Sequence, residues 1–175
     1  MLIVYLCMNS ILFNSRNFVM KIKPVIFVVL ILTTFCSVAQ VKEWDYLSTG
    51  IYAKAIAEDD DYLWIGNLTG LVRIDKATQE RTYYNKANSD IPDETVNDIV
   101  IDASGAVWIA TGTSLVANSG GLAKFDGSNW QVFRTENSDI PYNYITSLTL
   151  DNNGLLWLGT NNGGFTSFDG ANWQV

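Results

Sequence analysis

Leu63-Trp64-Ile65-Gly66, Val107-Trp108-Ile109-Ala110 and Leu156-Trp157-Leu158-Gly159 are one short strand written three times, with the tryptophans 44 and 49 residues apart. Each copy follows a stretch rich in turn-forming residues: Asp59-Asp60-Asp61, Asp102-Ala103-Ser104-Gly105 and Asp151-Asn152-Asn153-Gly154. Each precedes a glycine-led second motif: Gly70-Leu71-Val72-Arg73-Ile74-Asp75, Gly121-Leu122-Ala123-Lys124-Phe125-Asp126 and Gly164-Phe165-Thr166-Ser167-Phe168-Asp169. A period of about 40 to 50 residues, built only from strand-like pieces, means one compact sheet per repeat.

Working outward from the tryptophans, each repeat divides into four strands. The middle one reads 95–102, 106–111, 121–126 and 130–135, and the third reads 144–151, 155–160, 164–169 and 172–175. The first reads 51–59, 62–67, 70–75 and 80–85. Asp, Asn and Gly between the strands tolerate the backbone conformations of tight hairpins. Both longer linkers contain Asn-Ser-Asp-Ile-Pro, at 88–92 and 137–141; proline there denies a backbone donor and marks a connection between sheets.

The tryptophan strands are apolar at consecutive positions, so both of their faces call for cover. A two-layer sandwich gives one wet face and clean alternation, whereas radial stacking of repeats covers every sheet on both sides. The expected fold is therefore all-β: an incomplete β-propeller of three four-stranded blades, at 51–85, 95–135 and 144–175. A stray outer strand at Trp44-Asp45-Tyr46-Leu47 resembles the fourth-strand starts at Trp130 and Trp173. Closed propellers have about four to eight blades. The expectation is thus a fragment, with further blades after Val175 and uncovered end faces that favour self-association.

Residues 1–39 read as an export signal. Lys21-Ile22-Lys23 supplies the basic start, Pro24 to Leu32 the apolar run, and Ser37-Val38-Ala39 the small-residue cleavage site. The segment before Met20 reads as an over-extended start. Cys36 raises a lipoprotein alternative, but Thr34 and Phe35 stand where small residues are wanted. The apolar run is too short to span a bilayer, so no integral membrane segment is expected in 40–175, and the location is periplasmic or extracellular. Three of the eleven cations and none of the eighteen acids lie in the leader, so 40–175 carries eight against eighteen, a net charge of −10. That charge disfavours nucleic acid and anionic membrane. Both cysteines, Cys7 and Cys36, fall in the leader as well.

The chain contains no histidine. Together with the absence of cysteine from 40–175, this removes histidine-based general bases, His/Cys zinc sites, thiol nucleophiles and serine triads from the possible chemistry of this segment. No catalytic residue, metal ligand or cofactor is expected. The Asp59-Asp60-Asp61 and Asp151-Asn152-Asn153-Gly154 stretches lack the spacing and the bidentate glutamate of a calcium loop, and read as hairpin turns. Trp64, Trp108 and Trp157 read as core rather than as sugar platforms, because they recur inside apolar strands. Trp44, Trp130 and Trp173 read as rim packing. A binding site is expected instead in the loops on one face: Asn67, Thr69, Asn97, Ser114, Asn118, Asn143, Tyr144, Asn161 and Asn162. Their amides and hydroxyls suit a neutral polar ligand or a protein partner.

The pattern strand–Asp–turn–Leu-Trp-Ile-Gly, then Gly-Gly-Leu and aromatic-Asp, resembles the two-component regulator propeller repeats of bacteria. Positions 96–126 and 145–169 follow it closely. The first repeat departs at Asn67 and Tyr62, and the second carries an insertion, Ser114-Leu115-Val116-Ala117-Asn118. The resemblance implies a non-catalytic sensing or binding module of an exported protein. A propeller-borne lyase or hydrolase, or a structural scaffold, are the alternatives.

Overall fold

The computed structural model describes residues 52–116 and 118–174. They lie in the compact unit Leu47–Val175; the leader and the stray strand at Trp44 fall outside the described residues. Twelve strands form three separate four-stranded antiparallel meanders, and no helix occurs among the described residues. Blade 1 comprises β1 (Ala55–Glu58), β2 (Tyr62–Asn67), β3 (Gly70–Asp75) and β4 (Arg81–Tyr84). Blade 2 comprises β5 (Val96–Ile101), β6 (Val107–Thr111), β7 (Gly121–Phe125) and β8 (Trp130–Phe133). Blade 3 comprises β9 (Ile145–Leu150), β10 (Leu156–Thr160), β11 (Phe165–Phe168) and β12 (Trp173–Gln174).

Most strands are shorter than the sequence suggested. The first begins at Ala55 rather than 51, and the closing aspartates of β7 and β11 leave their ladders. The reason is local hydrogen bonding. Asp126 Oδ1 accepts from the N–H groups of Ser128 and Asn129, and Asp169 Oδ1 from those of Ala171 and Asn172. Each carboxylate thus builds the turn instead of extending the strand. The same device sits in the β1–β2 and β9–β10 turns, where Asp59 and Asp151 accept from following N–H groups. The hairpin reading of both acidic stretches holds.

The linkers explain their shared string. Asn88 Oδ1 accepts from Asn85 N–H at 2.8 Å while its Nδ2 donates to Tyr83 O at 2.9 Å. Asn137 repeats this with Arg134 N–H at 2.7 Å and Val132 O at 2.9 Å. Ile91 and Ile140 follow into the core.

Alternation along each strand gives every blade two faces. In blade 2 one cross-strand row, Ile99–Ile109–Ala123–Val132, packs on blade 1; the adjoining row of opposite facing, Val100–Trp108–Lys124–Gln131, turns toward blade 3. Blade 1 has the same pair of rows, Ile56–Ile65–Val72–Tyr83 and Ala57–Trp64–Arg73–Thr82. Blade 3 has Leu148–Leu158–Thr166 and Thr149–Trp157–Ser167–Gln174. Two apolar cores result, one between each pair of consecutive blades.

Each core holds the same aromatic cluster. Trp64 meets the edge of Phe125 at 6.1 Å between centroids, and Trp108 meets Phe168 at 6.0 Å. Tyr84 with Trp130, and Phe133 with Trp173, complete the two sets at 5.7 and 5.8 Å. The expectation of three core tryptophans needs one correction. Trp64 and Trp108 are 3% and 5% exposed, but Trp157 is 37% exposed, because no blade among the described residues covers that face of blade 3.

Candidate functional site

The loop residues singled out by sequence divide into two groups. Asn67 is buried, and its Oδ1 accepts from both the N–H and the hydroxyl of Thr69, closing the β2–β3 turn. Asn97 Nδ2 donates to Gly112 O and Ile145 O, each at 2.8 Å, and its Oδ1 accepts from Lys54 Nζ. One amide thus ties all three blades. Asn143 is buried and its Oδ1 accepts from Thr135 N–H at 2.8 Å. These four side chains serve the fold. Tyr144 is half-buried and its carbonyl accepts from Asn161 N–H at 2.9 Å, which brings those two loops together. Ser114, Asn118, Asn161 and Asn162 are exposed.

Other clefts lie elsewhere among the described residues. One, of about 700 Å³, runs between the linker after β4 and the β7–β8 turn. Tyr84, Phe125 and Trp130 line its aromatic part, and Lys86, Asn88 and Ser128 its polar part. That combination and volume suit a small polar ligand with an apolar face. Sequence reading assigned Trp130 to rim packing, and the ring does stack on Phe125 at 4.6 Å between centroids. The signal that was available is the repeated tryptophan after an Asp-Gly turn, beside an Asn-Ser linker.

Two further clefts are equivalents of one another, about 320 Å³ between blades 1 and 2 and 210 Å³ between blades 2 and 3. Each contains a carboxylate, a tryptophan and a cation. Trp64 Nε1–H donates to Asp59 Oδ2 at 3.1 Å, and Trp108 Nε1–H to Asp102 Oδ2 at 2.8 Å. The Arg73 guanidinium stands 4.7 Å from the Tyr62 ring and 5.9 Å from the Trp64 ring, and Lys124 Nζ stands 4.8 Å from Trp108. Lys124 also approaches Asp102 at 3.6 Å. In blade 3 the cation's place is taken by Ser167.

Burial by itself would raise the Asp102 pKa. Hydrogen bonds from the Ser104 hydroxyl, the Trp108 indole and the Ala106 and Ser104 backbone outweigh it and hold the carboxyl below the ordinary value of 3.8. Asp59 is lowered in the same way, with burial opposing and the Trp64 indole leading the hydrogen bonds that win. A depressed folded pKa contributes stability that is fully present above the unfolded value and is lost as pH falls through the folded one. Asp102→Asn should therefore lower the melting temperature at neutral pH, since an amide nitrogen would oppose the indole N–H. It should also flatten the decline in melting temperature as the pH falls below about 4. An unchanged acid limb would show that Asp102 does not carry it.

Each carboxylate is thus committed to its own turn and to the indole N–H beside it. Among the described residues no group of three or more acidic, histidine or cysteine side chains could hold a metal ion.

The repeat geometry can now be set beside known proteins. Residues 139–162, the linker into blade 3 through the end of β10, match the two component regulator propeller family. The described architecture is likewise that of β-propeller domains in solved structures. The extracellular domain of a hybrid two component system from B. thetaiotaomicron is 24% identical, with a TM-score of 0.58 over 71% of this chain and 17% of that one. PorZ, a surface component of the type-IX secretion system of Porphyromonas gingivalis, is 28% identical, with a TM-score of 0.51 over 66% of this chain and 17% of its own. A catalytically inactive virginiamycin B lyase from Staphylococcus aureus is 18% identical, with a TM-score of 0.55 over 73% of this chain and 42% of the lyase. This chain therefore spans about a sixth of the length of the first two. No curated protein matches it. Among the described residues no helix is long and apolar enough to cross a membrane.

Proposed function

We propose that this chain is part of a non-catalytic binding module in an exported bacterial protein of the sensor or surface-component kind. The match of residues 139–162 to the two component regulator propeller repeat carries the reading. Three further features support it. The 20–39 segment has the order of an export signal. The carboxylates beside the repeated tryptophans are committed to turns and indoles. No histidine occurs in residues 1–175, so proton transfer near neutral pH would fall to carboxylates, tyrosines, lysines or arginines with displaced pKa values.

The ligand is a neutral polar molecule or a protein surface, and the cleft floored by Tyr84 and Trp130 is its place on this chain. Neutral ligands fit the net charge better than anionic ones, since residues 40–175 carry −10. Titration with a panel of neutral oligosaccharides and peptides tests the reading, with the melting temperature and the ligand's own integrity followed together. A ligand at about a hundred times its dissociation constant adds roughly 2.7 kcal/mol, which is roughly 5–10 °C for a domain of this size. Ser128→Trp, which fills the polar side of the cleft, should abolish that rise. Cleavage or elimination of any ligand by the purified chain would overturn the non-catalytic assignment in favour of an enzyme.

A further inference from the structure

The two equivalent clefts between consecutive blades differ in how their charges are paired. Between blades 2 and 3 the cation and the acid satisfy each other, with Lys124 Nζ 3.6 Å from Asp102 Oδ2. The turn after Asp102 reads Ala103-Ser104-Gly105 and adds no further acid. Between blades 1 and 2 the charges stay open. No carboxylate oxygen of the described residues lies within 4.0 Å of the Arg73 guanidinium. Asp75 stands farther off, its Oδ1 taken by the N–H groups of Ala77 and Thr78. Arg73 carries five N–H donors, and the one hydrogen bond it gives among the described residues goes to Thr82 Oγ1 at 3.3 Å. The rings of Tyr62, Trp64 and Tyr84 hold the guanidinium at 4.7, 5.9 and 6.0 Å. On the acid side, Asp59 alone shapes the turn by accepting from Asp61 and Tyr62 N–H. The Asp60 and Asp61 carboxylates are exposed and meet no donor among the described residues. Lys76, whose N–H donates to Asp61 O, is paired with Glu58 at 2.9 Å. Asp60, Asp61, Tyr62 and Arg73 line one cleft of about 320 Å³, walled on the other side by Val107 and Phe125.

We propose that the cleft between blades 1 and 2 binds a zwitterion, a free amino acid or short peptide with an apolar side chain. Its carboxylate meets the Arg73 guanidinium, whose planar fork matches two carboxylate oxygens. Its ammonium meets Asp60 or Asp61, and its side chain lies against Tyr62, Val107 and Phe125. The charges decide the class. A purely anionic ligand would face the acids of the Asp59–Asp61 turn, and a purely cationic one would face Arg73. A ligand carrying both signs complements both. The volume falls at the lower end of the range for small-molecule pockets, about 300–1,000 Å³, whereas the cleft at Lys124 is smaller and already neutralised from within. This site adjoins the one at Tyr84 and Trp130 along Phe125 and Gly127, but it takes a ligand by charge and not by an aromatic floor. Both of its walls belong to blades 1 and 2. Because the recognition is ionic, added salt weakens it.

Titration of the purified chain with L-leucine and with leucyl-leucine, followed by NMR chemical shifts, tests the proposal. At least one of the two should bind with a dissociation constant of about 1 mM or tighter. Blocked forms separate the charges: N-acetyl-leucine lacks the ammonium and leucinamide lacks the carboxylate. Each should bind about 10-fold or more weakly than leucine, the loss expected for one charge-assisted hydrogen bond. Arg73→Gln should erase the preference for a free carboxylate, and the double change Asp60→Asn with Asp61→Asn the preference for a free ammonium. The second variant alters exposed side chains without partners, so it carries the test if Arg73→Gln unfolds the chain. Ser128→Trp fills the neighbouring cleft and should leave leucine binding unchanged, which keeps the two sites apart. Equal binding of free and blocked forms overturns the proposal, as does the absence of saturable binding of either probe in the millimolar range. Binding that survives both charge variants but is lost in Ser128→Trp also overturns it, since the ligand would then sit at Trp130.

Discussion

Trp108→Ala is expected to lower the unfolding free energy by about 4 kcal/mol, within the range for deleting a buried aromatic side chain. That is a large share of the roughly 5–15 kcal/mol that holds a typical domain together. The ring stacks on Phe133 at 6.0 Å, meets Phe168 edge-on at 6.0 Å and lies under Lys124. Its loss opens the core between blades 2 and 3 and leaves Asp102 Oδ2 without the indole donor. Trp108→Phe keeps most of the apolar contact and loses the hydrogen bond, so about 1–2 kcal/mol is expected. Trp157→Ala removes the same side chain from the equivalent strand position, and should cost no more than about 1 kcal/mol. Urea unfolding of the three variants gives the comparison. Equal losses at Trp108 and Trp157 would contradict the difference in burial on which the account of the two faces depends.

Gly70→Ala should cost about 3 kcal/mol or more, through two additive causes. Gly70 opens β3 at φ +127°, which a side chain resists, and a Cβ there would collide with the Tyr84 carbonyl oxygen. Backbone strain of that kind costs about 1–3 kcal/mol, and forcing atoms into occupied space adds about 1–3 kcal/mol. Gly127 separates the two. Its φ is +99°, also positive, but a Cβ there would meet nothing within 4 Å. Gly127→Ala should therefore show the backbone cost alone, about 1 kcal/mol. The difference between the two midpoints in urea measures the clash. If both variants unfold at the same denaturant concentration, β3 and β4 are not held as closely as the Leu71–Tyr84 pairing requires.

Much of the candidate site was hidden for a reason that the asparagines make concrete. By type and loop position Asn67, Asn97 and Asn143 looked like ligand-facing amides, and sequence has no means of telling a spent amide from a free one. Each is in fact occupied by backbone groups, those of Asn97 lying 15 and 48 residues away. The cleft at Tyr84 and Trp130 was missed for the converse reason. Its aromatic floor belongs to strands of two different blades and its polar wall to the linker between them.

By itself the sequence determined the repeat, the three blades of the described residues, the hairpin turns and the class of fold. All of these follow from local chemistry: alternation, turn residues, and a tryptophan strand recurring at one period. It also excluded histidine and thiol chemistry from residues 40–175, which composition alone can do. Only the tertiary structure decided that Trp64 and Trp108 are core while Trp157, on an indistinguishable strand, faces outward. It likewise decided that Arg73 and Lys124 are held over indole rings, whereas Ser167 at the same place lacks a partner. Burial of a blade face is a property of the neighbouring blade, and equal sequence produces equal burial only where the neighbour is present.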